Sequence, residues 1–372
     1  MVVRVAIRGS GVVASGAGAT RRRALRRGPS GRPTPAEARP LFANDQWRSL
    51  PPVPTPYVIP LIGVGSLSPE LVGGKAAQLA ELVSIGLPVP TAFSITTAAY
   101  RAFTQSTGIA AWLARSLAGL PTADRVAAVR LATEARERFA ASPLPDDIAA
   151  EVLAAYEALL GVDGVRPVAV RSSATGEDGL VTSFAGQHDT LLNVRGAADL
   201  LRAVTSCWAS ASSEQALLYR SRHGLMQADY SIGVVVQNLV PADRAAVAFS
   251  ANPIDDDQTC VVVNAAWGLG EAIVSGLVNP DYFVVSKRDL TILDRQIARK
   301  EVETIALPEG GTEERPVPPD RRDAPSLSDP EIRRIAEIAV RLEKAKQHPV
   351  DVEFAFAGSR MAVLQCRPVT TL

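Results

Sequence analysis

The chain has 372 residues, 47% of them apolar and 21% charged, with 39 basic and 39 acidic side chains. That composition excludes a wholly disordered chain, and no apolar run is long enough to span a bilayer. Three cysteines, none in a CxxC pair, and three histidines exclude a disulfide framework, a zinc finger and a His-rich metal centre, and they suit a reducing cytosol.

The neutral total hides an asymmetry. Residues 1–60 carry ten arginines against Glu37 and Asp45, so this segment is +8 and the remainder −8. A net-negative body argues against a nucleic-acid binder, which needs a basic surface. The segment is a basic, Pro/Gly/Arg-rich tail. It reads as disordered chain or the product of an upstream start codon, as an acid-poor transit-like leader, or as a basic arm for anionic surfaces. Pro51, Pro52, Pro54, Pro56 and Pro60 make a stiff extended lead-in.

Regular pattern begins near residue 61. Gly73-Gly74 precede a helical stripe of Ala76, Leu79 and Val83 that ends at Gly86. A short strand and helix are expected over 91–118, and helices over about 123–141 and 146–160. Val168–Val170 reads as a buried strand, and helix returns at about 197–209. Short β-branched runs follow at Val234–Val236, Ala246–Phe249, Val261–Val263 and Phe283–Val285. Residues 308–328, rich in Pro, Gly and charge, are expected as an exposed loop. A helix starts at Ser328 or Asp329, with Glu331 placed to close a capping box. A terminal hairpin pairs Val350–Ala357 with Met361–Pro368. Helices and strands mix without strict βαβ alternation, so the fold class is α+β.

Several segments carry chemistry. Gly73-Gly74-Lys75 opens a helix, where free N–H groups and a lysine suit a phosphate, although an ordinary N-capped surface helix has the same look. Arg171-Ser172-Ser173-Ala174-Thr175 reads either as a phosphate loop after a buried strand or as a plain polar loop. Around His188, Ser183–Thr190 has small residues that permit close backbone approach; the histidine itself reads as solvated or structural. Gln237 closes an apolar strand and either satisfies nearby backbone or reads a ligand edge. Trp267–Ala272 contains a GxGE turn that lacks the third glycine of a dinucleotide fingerprint. In the hairpin, strand alternation puts Asp351 and Glu353 on one face and Gln365 and Arg367 on one face. If these coincide, hard oxygens suited to Mg²⁺ converge with a guanidinium suited to phosphate; the other reading is a solvated polar face.

Taken in order, VGGKAAQLAEL, VAVRSSATGED, SFAGQHDTLLNV, CWAS, VVVQNLV, WGLGEAIVSGLVNPD and DVEFAF…LQCRPVTTL resemble the ATP-binding domain of the phosphoenolpyruvate synthase, pyruvate phosphate dikinase and rifampicin phosphotransferase family. The resemblance spans about residues 61–372. It implies an ATP-grasp-like nucleotide-binding domain made of two subdomains, about 61–230 and 231–372, with ATP between them. It implies that Lys75 and Arg171 hold phosphates and act in catalysis. Gly186 and Thr190 would approach the triphosphate, and Gln237 would lie at the adenine end. Glu353 and Gln365 would ligate Mg²⁺, with Arg367 beside the phosphates and Asp351 in support.

The family reaction sends a phosphoryl group from ATP to a histidine on a swivelling domain, with release of AMP and Pi. No Thr-Ser-His-type motif occurs in the chain, so a separate chain is expected to supply the phosphohistidine and acceptor domains. A stand-alone, non-catalytic ATP-binding module is the competing expectation, and chemistry like that of the rifampicin enzyme fits the closing motif equally. Gln347-His348-Pro349, in place of a glycine-containing lead-in, implies only a local change of loop.

Overall fold

In a computed structural model of the chain, the described residues are 55–121, 124–160, 166–175, 190–223, 231–255 and 257–369. The expectations for the basic tail up to residue 54, for Gly186 and for His188 lie outside them. The elements are β1 (Val58–Pro60), α1 (Pro69–Val72), α2 (Gly74–Ser84), β2 (Ala92–Ile95), α3 (Thr97–Ser106), α4 (Ile109–Ala118), α5 (Arg125–Ala141), α6 (Asp146–Leu160), β3 (Val168–Ala174), β4 (Thr190–Val194), α7 (Ala197–Ala209) and α8 (Glu214–His223). Then come β5 (Ile232–Asn238), β6 (Arg244–Phe249), β7 (Cys260–Trp267), α9 (Glu271–Val274), β8 (Asp281–Ser286), β9 (Ile292–Gln296), β10 (Val302–Ala306), β11 (Thr312–Pro316), α10 (Pro319–Arg322), α11 (Asp329–Lys346), β12 (Val350–Ala357) and β13 (Arg360–Pro368).

Helix and sheet are mixed, as the α+β reading requires. One sheet has the order β1-β2-β5-β3-β4 and another the order β13-β12-β6-β7-β8-β9, while β10 and β11 form a separate hairpin. The first sheet is antiparallel at every pair. Its period-2 apolar residues Phe93, Ile95, Val168, Val170, Val234 and Val236 pack against Tyr100, Phe103, Phe139 and Trp208 from α3, α5 and α7. The Phe103 and Trp208 rings lie 5.0 Å apart. The alternate residues, Ala169, Arg171 and Ser173 on β3 with Val235 and Gln237 on β5, therefore share the opposite face.

The second sheet buries Val350, Val352, Phe354 and Phe356 against the apolar stripe of α11, which includes Ile332, Ile335, Ala339 and Leu342. Ala76, Leu79 and Leu82 of α2 join that core, as do Ala92 and Val235 of the first sheet. Helix α2 is thus shared between the two sheets, which fixes the position of its N-terminal lysine. Helix α11 starts at Asp329 behind Ser328, and Glu331 closes the expected capping box.

Three sequence expectations differ from the structure. Residues 308–328 are not one exposed loop: they hold β11 and α10, and Val317, Ser326 and Leu327 are buried. Strand β11 is exposed along most of its length, so it shows no apolar alternation to read. The strand beginning at Val168 runs on to Ala174, which puts Arg171, Ser172 and Ser173 inside the sheet rather than on a loop. Strand β5 lies between β2 and β3, so the change of sheet comes after Asn238 rather than near residue 231. Among the described residues no helix is long and apolar enough to cross a membrane.

Candidate functional site

The site is assembled from the corner between α1 and α2, the strand β3 and the β12–β13 hairpin. At the corner, Gly73 has φ 81° and ψ 166°. A Cβ there would lie 1.9 Å from the Ser173 carbonyl oxygen, so backbone packs on backbone and only glycine fits. The same holds on β5, where a Cβ at Gly233 would come 2.4 Å from the Val72 carbonyl oxygen. With the corner seated, the Ala76 N–H donates to Ser173 Oγ at 3.1 Å. A strand hydroxyl thereby satisfies one of the donors that a helix start leaves open. Lys75 Nζ donates to the Ser172 carbonyl at 3.0 Å, which ties the ammonium to the strand that carries Arg171.

Arg171 crosses from the first sheet to the second. Its Nη1 donates to the Leu364 carbonyl at 3.1 Å, and its Nη2 donates to Glu353 Oε2 at 3.3 Å and to Gln365 Oε1. Its guanidinium is nearly buried, 11% exposed, beside Glu353 at 18%. The Leu364 carbonyl is available because β13 bulges: Glu353 pairs with Gln365, but Phe354 pairs with Val363, and Leu364 is left out of the ladder. The bulge also keeps Val363 in the core.

The polar faces of the hairpin coincide. Asp351 is the Cα partner of Arg367, and Glu353 the partner of Gln365. Arg367 Nε donates to Asp351 Oδ2 at 2.8 Å. Asp351 is buried, and burial pushes its carboxyl above the ordinary value; the Arg367 charge and hydrogen bond oppose that rise, and the Glu353 charge adds to it. Among the described residues Asp351 Oδ1 is buried without a hydrogen-bond partner. Gln237 is also buried, on the face of Arg171, and its Nε2 has no partner among the described residues. Thr190 is exposed at the start of β4 and is the Cα partner of Arg171.

Of the expected site residues, Arg171, Glu353 and Gln365 come together directly, Lys75 reaches the same strand at the Ser172 carbonyl, Asp351 and Arg367 form the neighbouring rung, and Thr190 and Gln237 lie along the strands flanking Arg171. Two features escaped sequence reading. One is the freed Leu364 carbonyl, which nothing in the run LQCRP announces. The other is Asn264. Glu353 pairs with Val247 and Val247 with Asn264, so this residue shares the Glu353 face. A polar residue inside the apolar run VVVNAAW, like Gln237 in its own strand, was the available signal.

Among the described residues no three His, Cys, Asp or Glu side chains cluster as a metal centre. The oxygens this face offers are those of Glu353 and the Gln365 amide, with the buried Asp351 on the next rung. Hard oxygens in that small number fit Mg²⁺, which takes one or two carboxylates and completes its shell with phosphate oxygens and water.

Residues 69–372 match the family model described as the pyruvate phosphate dikinase AMP/ATP-binding domain. A probable phosphoenolpyruvate synthase of Methanocaldococcus jannaschii is 40% identical over 306 residues, 82% of this chain and 26% of that protein. A rifampicin phosphotransferase of Streptomyces sviceus is 40% identical over 319 residues, 85% of this chain and 36% of that protein. The prodigiosin synthesizing transferase PigC of Serratia marcescens is 40% identical over 314 residues, 84% of this chain and 33% of that protein. The chain thus spans between a quarter and two fifths of the length of these relatives. With the whole site and more than four fifths of the sequence inside the match, the chain belongs to the pyruvate phosphate dikinase AMP/ATP-binding domain family.

Proposed function

We propose that the chain binds Mg·ATP at the junction of its two sheets in an ATP-grasp-like arrangement. There it serves as the nucleotide-binding part of a phosphotransferase, passing a phosphoryl group from ATP to a histidine on a further domain or chain, with AMP and Pi as products. The observation that carries this reading is the reach of Arg171 from β3 to Glu353 and Gln365, which gathers a guanidinium, a carboxylate and an amide oxygen, with Lys75 bonded to the next residue of the same strand. Phosphoryl transfer asks the protein for position and charge neutralisation more than for a base, and this is what such a set provides.

In this reading Lys75 and Arg171 hold phosphate oxygens, Lys75 as a point charge and Arg171 through its planar fork. Both already donate to protein oxygens, so nucleotide binding exchanges those contacts for charge-assisted bonds to phosphate. Glu353 and Gln365 would hold Mg²⁺, which when bound neutralises polyphosphate charge. Asp351 keeps Arg367 turned along the same face. Gln237 presents its unpartnered amide to the adenine edge. Thr190 stands by the triphosphate, and the same role is proposed for Gly186, which lies outside the described residues. The test is a calorimetric titration of the full-length protein with ATP, with and without magnesium. Saturable binding that needs the metal is expected; no binding, or binding indifferent to magnesium, overturns the reading.

A further inference from the structure

The β10–β11 hairpin belongs to neither large sheet, yet it is fastened at both ends. At its root, the buried Asp281 collects the chain that enters and the chain that leaves. Its Oδ1 accepts from Lys300 Nζ at 2.5 Å and from the Ala298 N–H at 3.0 Å; its Oδ2 accepts from the Ser326 N–H and Oγ at 2.7 Å each. Lys300 and Asp281 are completely buried. The hairpin also rests on the end of β7: the Leu269 N–H donates to the Thr304 carbonyl at 2.8 Å. A Cβ at Gly268 would come 2.4 Å from that oxygen.

At its tip the hairpin meets the first sheet at Asn193. Asn193, on the edge strand β4, is completely buried and has φ 56°. Its Nδ2 donates to the carbonyls of Leu307 at 2.7 Å and Gly311 at 2.6 Å. Its own carbonyl accepts the Gly311 N–H at 3.1 Å, and its Oδ1 accepts from Arg195 Nε at 3.0 Å. Both amide donors are used, which offsets the burial of the side chain, and asparagine is among the few L residues that take this left-handed conformation readily. Asn193 lines a cavity of about 670 Å³ together with Thr190, Arg202, Glu271 and Glu309.

We propose that the hairpin is a strap between the two sheets and that Asn193 is its buckle, a positioning residue that holds β4, and with it Thr190 and Arg171, in place against the sheet that carries Glu353 and Gln365. The inference rests on the nucleotide reading of that junction. The buckle acts through the strands: β4 pairs with β3 at Thr190 and Arg171, so slack at the tip is slack at the guanidinium. Nucleotide held between the sheets then escapes when the strap opens.

Two variants separate the side chain from the backbone. Asn193→Gly tolerates the positive φ and removes the amide; Asn193→Asp keeps the shape and removes both donors. In the full-length protein without nucleotide, both are expected to speed hydrogen exchange at residues 302–316, the Gly311 amide included. Both are also expected to speed release of a fluorescent ATP analogue in magnesium roughly tenfold, the worth of about two hydrogen bonds. Unchanged exchange in the hairpin overturns the strap. Faster exchange with unchanged release, accompanied only by a lower melting point, reduces Asn193 to a structural residue and overturns the positioning role. Failure of the wild-type protein to bind nucleotide would strike the proposed function instead, and the exchange measurement would still decide whether Asn193 holds the strap.

Discussion

Arg171 and Glu353 are 182 residues apart in the chain and 3.3 Å apart in space. Around that contact the two sheets meet, and an arginine fork, a carboxylate and an amide oxygen share one small volume. The pairing also has an electrostatic logic. Glu353 is mostly buried, and Arg171 neutralises it before any ligand arrives.

Removal of the guanidinium therefore has two effects of different kind. Arg171→Ala is expected to abolish measurable Mg·ATP binding, and also to lower stability by about 3 kcal/mol, because it strands a largely buried carboxylate. Arg171→Lys should recover much of the stability and little of the binding, since an ammonium cannot span Glu353, Gln365 and the Leu364 carbonyl together. Titration calorimetry and denaturant melts on the same samples distinguish the two. Equal affinity in wild type and Arg171→Lys would show that the fork is not what grips the phosphates.

Lys75 makes the opposite case. Its side chain is half-exposed and its bond to Ser172 is to a carbonyl, so Lys75→Ala should lose nucleotide affinity with a thermal midpoint close to wild type. Ser173→Ala reverses the pattern: the buried Ala76 N–H loses its acceptor, at a cost of about 1–3 kcal/mol. A Ser173→Ala protein as stable as wild type would mean that the α2 start is satisfied in another way.

The alternation of the last hairpin was legible in the sequence because it is local. Asp351, Glu353, Gln365 and Arg367 follow from period 2, and the helix start at Ser328 follows from a capping box of four residues. Non-local facts were not legible. Nothing near Val234 says that β5 inserts between β2 and β3, since that choice is made by partners far away in the chain. The bulge at Leu364 is set by which residue reaches the core, Val363 or its neighbour, and both are apolar. The β11 half of the strap hid in a Pro/Gly-rich charged stretch, because that strand is exposed along most of its length and is held by backbone bonds to β10.

Gly73 and Gly86 allow a controlled test of the corner that carries Lys75. Their φ values are close, 81° and 77°, but a Cβ at Gly86 meets nothing within 4 Å whereas one at Gly73 meets Ser173 at 1.9 Å. Gly86→Ala should cost only the backbone strain, about 1 kcal/mol. Gly73→Ala adds a collision between two main chains and is expected to cost more than about 3 kcal/mol, or to drive α2 off β3 with loss of nucleotide binding. Similar melting curves for the two variants would contradict the seating of the corner.

Two carboxylates should respond to pH in opposite senses. Burial opposes ionisation of Glu331, but hydrogen bonds from the Ser328 N–H and Oγ, and then the charge and hydrogen bond of Arg244, outweigh it and hold the carboxyl below its ordinary value. A depressed value in the folded state means that the unfolded chain binds the proton more readily. Glu331 therefore stabilises the fold above the ordinary carboxylate range and loses that contribution as pH falls through its own lower value. For Asp351 the sign is reversed. Its folded value is raised by burial, so the folded state keeps the proton longer than the unfolded one, and its contribution declines as pH rises from the ordinary carboxylate range through the raised value. Paired melts across acid to neutral pH check both. The deficit of Glu331→Gln relative to wild type should shrink toward acid, while Asp351→Asn should compare least favourably with wild type at acid pH and gain on it as pH rises. Parallel pH curves for Asp351→Asn and wild type would mean that the carboxylate ionises as freely in the fold as in the unfolded chain, and that Arg367 fully offsets its burial.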